Sequence, residues 1–157
     1  MKVIVQAEAF DPYKEVSAYE KQYLPFGKHG GVVTFVGTMR DFNDGHDVSS
    51  MFLEYYPGMT ERALEGIVAE AGSRWRLIDV LVVHRVGELK PTDQIVLVAV
   101  TSANRGEAFA ACEFIIDYLK TRAPFWKKER TPEGAHWVEA RVTDDDAAAR
   151  WESQKTA

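Results

Sequence analysis

The spacing of apolar and polar residues divides the first third of the chain into strands and a helix. The opening segment VIVQAEAF predicts a strand, and DPYKEVSAYEKQYL predicts a helix with Asp11 as its N-cap and Pro12 in its first turn. The β-branched and aromatic run GGVVTFVGTMR is followed by the polar turn DFNDGHD and the run VSSMFLEYY. Together these three segments predict a β-hairpin.

The middle of the chain predicts two more helices and two more strands. Pro57 and Gly58 stop the preceding strand, and apolar residues then recur at helical spacing. This stripe consists of Leu64, Ile67, Val68, Ala71 and Trp75. The strands DVLVVHRV and QIVLVAVT flank the turn GELKPTD, and Asn104 or Ser102 can cap a helix from about Arg105 to Thr121.

The order of these elements predicts the fold class. Adjacent pairs of strands separated by helices indicate an α+β domain with a mainly antiparallel sheet and about three helices, not a doubly wound nucleotide-binding fold. We assign residues 1–143 to this single domain, because no repeat or linker interrupts them. Residues 144–157 are acidic and contain few apolar side chains, so we expect a mobile tail there.

Composition and charge narrow the class of protein. The 157 residues are 46% hydrophobic and 27% charged, which are ordinary globular values. The N-terminal apolar stretch is short and broken by Gln6 and Glu8, and no run approaches the length of a membrane span, so we expect a cytoplasmic protein without membrane contact. The formal net charge of −5 disfavours a broad nucleic-acid-binding face.

Several kinds of chemistry are disfavoured by the residues present. Cys112 is the only cysteine, so an internal disulfide and a cysteine metal cluster are excluded, and its apolar helical setting predicts a buried thiol. Neither glycine-rich phosphate-loop pattern occurs. The histidines, which are His29, His46, His84 and His136, show no metal-binding spacing. We therefore expect neither a metal nor another cofactor.

A local basic cluster is the strongest remaining signal. Between Lys120 and Arg130, five cations accompany a single carboxylate, Glu129. Pro124 should end the preceding helix, so Lys120 falls in its last turn and Lys127 lies beyond the break, where the two lysines can converge.

Two interpretations of these cations stay open on residue pattern alone. They can complement a helix C-terminus and form a solvated face, or they can bind an anion, as the helix start favours for Arg105. The same two interpretations, a solvated cation or an anion-binding one, apply to Arg40 at the end of the GTMR segment. A further alternative is an RNA-binding surface with Phe125 and Trp126 as stacking platforms, although the net acidic charge opposes it.

Long segments of unusual composition carry a family resemblance. In chain order they are FVGTMRD, LEYYPGMTERAL, VHRVGEL, VTSANR, DYLKTRAPFWKKE, TPEG and WVEAR. These segments resemble the signature sequences of the large, catalytic subunits of molybdopterin synthase. The resemblance extends from about Gly31 to Arg141.

The resemblance implies a fold, a reaction and partners. Members adopt an α/β-hammerhead fold and form a homodimer with a small ubiquitin-like subunit at each end, which gives a heterotetramer. The small subunit's C-terminal Gly-Gly thiocarboxylate enters the large subunit's pocket. Two such tails in turn supply sulfur to cyclic pyranopterin monophosphate and form the dithiolene of molybdopterin. The implied activity is that of a sulfurtransferase in molybdenum cofactor biosynthesis.

The resemblance also implies site residues. Lys120 matches the leading catalytic position, as a general acid/base or as the charge that stabilises an oxyanion, and Lys127 matches the second. The positions that match substrate-binding segments are Thr38, Met39, Arg40, Asn104, Arg105, Lys120, Lys127, Lys128 and Glu129. Asn104 and Arg105 match a segment contributed by the neighbouring protomer.

Two positions depart from the family pattern. Asn104 stands where members usually have histidine, and an amide cannot carry charge or shuttle protons near neutral pH. This departure leaves open a module that docks the small subunit but has lost catalysis. Met39 replaces a small β-branched residue and should affect packing more than chemistry.

Overall fold

A computed structural model describes residues 1–139 and 141–153 of the chain. The helices of this part are α1 (Pro12–Tyr23), α2 (Met59–Arg74), α3 (Arg105–Arg122) and α4 (Val142–Ser153). The strands are β1 (Lys2–Gln6), β2 (Gly31–Thr38), β3 (Phe42–Asn43), β4 (His46–Asp47), β5 (Ser50–Tyr55), β6 (Leu77–Arg85), β7 (Gly87–Leu89), β8 (Gln94–Ser102), β9 (Phe125–Thr131) and β10 (Gly134–Val138). The chain is an α+β domain, as predicted.

The strands form two four-stranded sheets and one short hairpin. The first sheet has the order β1-β6-β8-β2, and only the pairing of β1 with β6 is parallel. The second sheet has the order β10-β9-β5-β7 and is antiparallel throughout. Strands β3 and β4 pair with each other. The prediction of a mainly antiparallel arrangement is confirmed.

The central strands β6 and β8 of the first sheet are buried on both faces, which explains their nearly unbroken apolar sequences. On β6, Val80 and Val82 pack against α2 and α3, whereas Leu81 and Val83 point to the opposite face and pack near α1. Strand β8 alternates in the same way. The two central strands thus separate two hydrophobic cores.

Helices α1 and α3 form where local sequence signals predict them. The Asp11 carboxylate accepts hydrogen bonds from the backbone N–H groups of Tyr13 and Lys14, at 3.0 and 3.2 Å, and so caps α1. Helix α3 ends at Arg122, two residues before Pro124. In residues 1–139 and 141–153, no helix has both the length and the apolarity to cross a membrane.

The predicted pairing of the strands around DFNDGHD is wrong. Strand β2 pairs with β8 in the first sheet, and β5 pairs with β7 and β9 in the second. The turn segment forms its own hairpin, because Asp44 and Gly45 adopt positive φ angles of 49° and 86°, the conformation of a two-residue turn. The neighbouring strands are left to pair with partners distant in sequence.

The segment expected to be a mobile tail from Asp144 is helical as far as Ser153. Helix α4 packs on α3, and the indole of Trp151 is only 5% exposed in the main core. Burial of this one large side chain compensates for the polar composition that suggested mobility. The described part therefore has four helices where about three were predicted. Residues 154–157 lie outside the described residues, and the assignment of residues 1–143 as one functional domain stays a prediction.

Candidate functional site

A cleft of about 550 Å³ lies where the end of β2, the second sheet and the C-terminal end of α3 meet. Six of the residues predicted for the site line it, namely Thr38, Met39, Arg40, Lys120, Lys127 and Glu129. The fold therefore gathers segments that are far apart in the sequence. The remaining three predicted residues lie elsewhere.

Lys120 enters the cleft from the last turn of α3. The buried face of this helix, which includes Phe114, Tyr118 and Leu119, fixes its rotation against the sheet. The Lys120 side chain is half exposed, and its Nζ lies 3.5 Å from the Asp144 Oδ1 of helix α4. The ammonium group is anchored at one side and accessible from the cleft.

Lys127 and Glu129 face the cleft together because they are two residues apart on strand β9. The Lys127 Nζ lies 3.0 Å from the Glu129 Oε1. The Glu129 side chain is only 6% exposed, and the same oxygen accepts a hydrogen bond from the Asn43 Nδ2 at 2.8 Å. A buried carboxylate with two donors is a fixed anchor for the lysine.

The end of β2 supplies the third cationic side chain. The pairing register with β8 shifts between Gly37 and Thr38, where the strand leaves the sheet beside the cleft. Met39 is buried in a small apolar cluster under this bend, so its side chain packs against other apolar side chains. Arg40 is exposed and forms no ion pair with any described residue, which leaves its guanidinium able to bind an anion.

Three predicted residues lie outside the cleft of this chain. Lys128 points to the other face of β9, where its Nζ lies 5.4 Å from the centre of the Trp137 ring. Asn104 and Arg105 lie at the start of α3, whereas Lys120 is in its last turn. Since each helical residue rises about 1.5 Å, roughly 22 Å separates Arg105 from Lys120 along the axis. A single chain therefore cannot place Arg105 and Lys120 on the same small ligand.

Residue patterns alone did not single out four other residues of the cleft, which are Asn43, His84, Arg141 and Asp144. Asn43 belongs to a segment whose glycine and asparagine residues indicate only a turn. Arg141 ends the WVEAR segment, which carries the family resemblance without a role for its arginine. The family segments were the one signal that could have identified Arg141 and His84.

His84 forms part of the cleft wall as a neutral ring. Its imidazole stacks on Phe125 with ring centres 4.0 Å apart, and its Nδ1 lies 2.8 Å from the Arg85 carbonyl oxygen. Burial lowers the pKa of His84 to about 4. With Nδ1–H donating to the carbonyl, the Nε2 atom of the neutral ring is a hydrogen-bond acceptor.

The buried His84 should make stability depend on pH in a defined window. The unfolded histidine titrates near pH 6.5 and the folded one at about 4, so between these values protonation favours the unfolded chain. We expect the free energy of unfolding to fall by about 3 kcal/mol as the pH falls through this window. Urea unfolding at a series of pH values measures it.

Two variants isolate the contribution of His84. In His84→Gln the pH dependence between 6.5 and 4 should flatten, whereas His46→Gln, which changes an exposed histidine, should leave it unchanged. An equal slope in the wild-type chain and His84→Gln would show that His84 is not held neutral.

Metal and thiol chemistry find no support in the described part. Among residues 1–139 and 141–153, no group of three or more His, Cys, Asp or Glu side chains is placed to hold a metal ion. Cys112 is buried, as predicted, and burial raises the pKa of its thiol to about 12. The thiol stays protonated and unreactive.

Comparison with known proteins identifies the family that the chain resembles. A family profile described as MoaE protein matches residues 5–122. A molybdopterin synthase catalytic subunit from Ralstonia nicotianae is 69% identical over 149 residues, which are 94% of this chain and 82% of the relative. The solved structure of a molybdopterin biosynthesis MoaE protein from Burkholderia ambifaria has a TM-score of 0.80 at 56% identity and covers 96% of this chain and 97% of that one.

A more distant structure shares the fold. It is a protein–protein complex of subunits 1 and 2 of the molybdopterin-converting factor from Helicobacter pylori. Its TM-score is 0.70 at 20% identity, with 89% of this chain and 90% of that chain covered. The fold thus persists where most of the sequence has changed.

Proposed function

The chain belongs to the MoaE protein family, and we propose that its cleft is the place where sulfur is transferred to a pterin phosphate. Its activity is that of the catalytic subunit of molybdopterin synthase, a sulfurtransferase of molybdenum cofactor biosynthesis. The observation that carries the proposal for the cleft is the meeting of Arg40, Lys120 and Lys127, which come from three separate segments.

The proposed acceptor is cyclic pyranopterin monophosphate. Its phosphate needs a cation that is free to form paired hydrogen bonds, and Arg40 has no ion-pair partner in the described residues. Thr38 lies at the same end of β2 and offers a hydroxyl group. Met39 packs beneath them and would keep this segment in place.

The proposed donor is the C-terminal Gly-Gly thiocarboxylate of a small ubiquitin-like subunit. Its negative charge would approach that of the phosphate, so the cleft must offset their repulsion, and Lys120 and Lys127 supply positive charge. When the acyl carbon of the tail is attacked, Lys120 would stabilise the oxyanion or donate a proton. In each transfer the sulfur bonds to a pterin carbon in place of an oxygen, and water attacks the acyl carbon and cleaves its bond to the sulfur, so that the tail leaves as a carboxylate. Two tails used in turn complete the dithiolene.

We propose that a second copy of the chain completes each site. Asn104 and Arg105 are too far from Lys120 to join it within one chain, which agrees with their contribution from a neighbouring protomer. The assembly would be a homodimer carrying a small subunit at each end, in the cytoplasm, with each chain in the α/β-hammerhead fold. Lys128 faces away from the cleft of its own chain, so its proposed role in substrate binding has less support.

A single-turnover experiment tests the proposal directly. The purified chain is mixed with a thiocarboxylated small subunit and cyclic pyranopterin monophosphate, and the dithiolene is detected after oxidation to a fluorescent derivative. We expect two sulfurs per pterin. Partner binding without product would instead identify a docking module and direct attention to Asn104.

The buried-tail arrangement makes a separate prediction about the partner. Adding one bulky residue, such as tryptophan, after the terminal Gly-Gly should block transfer, because the extended tail cannot place its end beside Lys120 and Lys127. The measurement is the single-turnover rate with the extended partner. The same residue added at the partner's other end is the control and should leave the rate unchanged. Undiminished transfer with the C-terminal extension would reject a buried tail.

A further inference from the structure

A network of buried side chains holds Lys127 in place and includes residues that need not contact the proposed substrate. Glu129 lies almost fully buried in the cleft wall, and its Oε1 receives both the Lys127 ammonium and the Asn43 amide. A carboxylate that is removed from water depends on such donors for its orientation. The direction of the Lys127 side chain therefore depends on how Glu129 is held.

The amide of Asn43 can be oriented in only one way. Its Nδ2 donates to the Glu129 Oε1, and its Oδ1 accepts from the Arg141 Nη2. A carboxylate only accepts and a guanidinium only donates, so rotating the amide by 180° would break both contacts. Asn43 thereby links strand β9 to the residue that precedes helix α4.

The backbone around Asn43 is equally constrained. It is the last residue of β3, pairs with His46 and precedes the two-residue turn at Asp44 and Gly45. Asn43 is only 8% exposed, although it belongs to a short hairpin beside the cleft. Asp44 adds an ion pair of 2.9 Å with the same Arg141 Nη2 but is itself largely exposed. The hairpin thus presents one buried amide to Glu129.

We infer that Asn43 is a positioning residue that fixes Glu129 and, through it, holds the Lys127 ammonium in the cleft. The inference rests on the proposed function only in the role given to Lys127. Asn43 itself does not touch the reacting atoms. Its effect on turnover should pass through Glu129, and this dependence makes the inference testable.

A double-mutant cycle tests whether Asn43 acts through Glu129. In single-turnover assays Asn43→Ala should lower the rate about tenfold, with the affinity for the small subunit unchanged. In a chain that already carries Glu129→Gln, adding Asn43→Ala should lower the rate less than twofold further. Equal losses in both backgrounds would show that Asn43 acts independently of Glu129 and would overturn the inference.

A labelling experiment tests the same link without substrate. An amine-reactive acetylating reagent modifies the folded chain, and mass spectrometry follows Lys127 and Lys128 separately. In Asn43→Ala the modification rate of Lys127 should change at least threefold, while Lys128, on the other face of the strand, keeps its rate. An unchanged rate at Lys127 would contradict the inference, even if the wild-type chain gave no product and the proposed function failed.

Two further variants provide a second test of the contact between Asn43 and Glu129 and a control for it. Asn43→Asp keeps the shape and the acceptor for Arg141 but replaces the donor to Glu129 with a like charge, so it should alter Lys127 labelling at least as much as alanine does. Asp44→Asn changes the exposed neighbour in the same turn, where asparagine tolerates the positive φ, and should alter neither labelling nor turnover. A change of equal size in Asp44→Asn would assign the effect to the hairpin as a whole.

Discussion

Replacing Lys120 with alanine is expected to abolish product formation while the fold and the docking of the small subunit are retained. The substitution removes the cation at the end of α3, where it faces the cleft, and leaves the buried face of the helix intact. Loss of one group that stabilises developing negative charge typically lowers a rate by about 10²–10³-fold. The single-turnover rate with saturating small subunit measures this effect.

A second lysine in a comparable local setting provides the control. Lys21 also lies in the last turn of a helix and is exposed, but it lies on α1, away from the cleft. Lys21→Ala should turn over at the wild-type rate. Circular dichroism and calorimetric titration with the small subunit should give equal results for both variants. Turnover of Lys120→Ala near the wild-type rate would reject its catalytic assignment.

The second large effect is expected on stability, from Trp151→Ala in helix α4. The indole packs edge-on against Trp75 and Phe114, with ring centres 5.6 Å apart in each pair, and its Nε1 donates to the Asp117 Oδ2 at 2.7 Å. Removing a buried tryptophan leaves a cavity and should lower the free energy of unfolding by about 3–5 kcal/mol. Urea unfolding measures this loss.

Trp137→Ala is the matched substitution for this test. Its indole is 52% exposed and contacts Lys128 through a cation–π interaction, so its loss should lower the free energy of unfolding by about 1 kcal/mol or less. If Trp151→Ala lost no more than Trp137→Ala, helix α4 would not be packed in solution. The mobile tail expected from the sequence would then be the better description.

Elements with strong local signals could be predicted from the sequence. The capped helix α1, the apolar stripe of α2, the strands β6 and β8, and the end of α3 before Pro124 all depend on neighbouring residues. Pairing between distant strands does not, so β2 and β5 were wrongly joined in a hairpin. Helix α4 cannot be predicted in this way, because its stability depends on a tertiary contact of Trp151, which composition does not reveal.

The same contrast between local signals and long-range contacts applies to the candidate site. The helix break at Pro124 was enough to suggest that Lys120 and Lys127 converge, and both line the cleft. The contact of Asn43 with Glu129 joins residues that are 86 positions apart, and nothing in the turn segment indicates it. Residue types and local breaks thus predict which charges are available, whereas the buried network that orients them depends on the complete fold.

The burial of β6 and β8 on both faces limits how these strands can change during evolution. Because the buried middle of each strand faces an apolar core on one side or the other, exchanges between apolar residues of similar volume, such as Leu and Ile, should be tolerated. A one-residue deletion would instead turn each following side chain to the opposite face. In β6 it would also withdraw His84 from its stack on Phe125 beside the cleft. We therefore expect relatives to vary in side-chain identity along these strands but to keep their length.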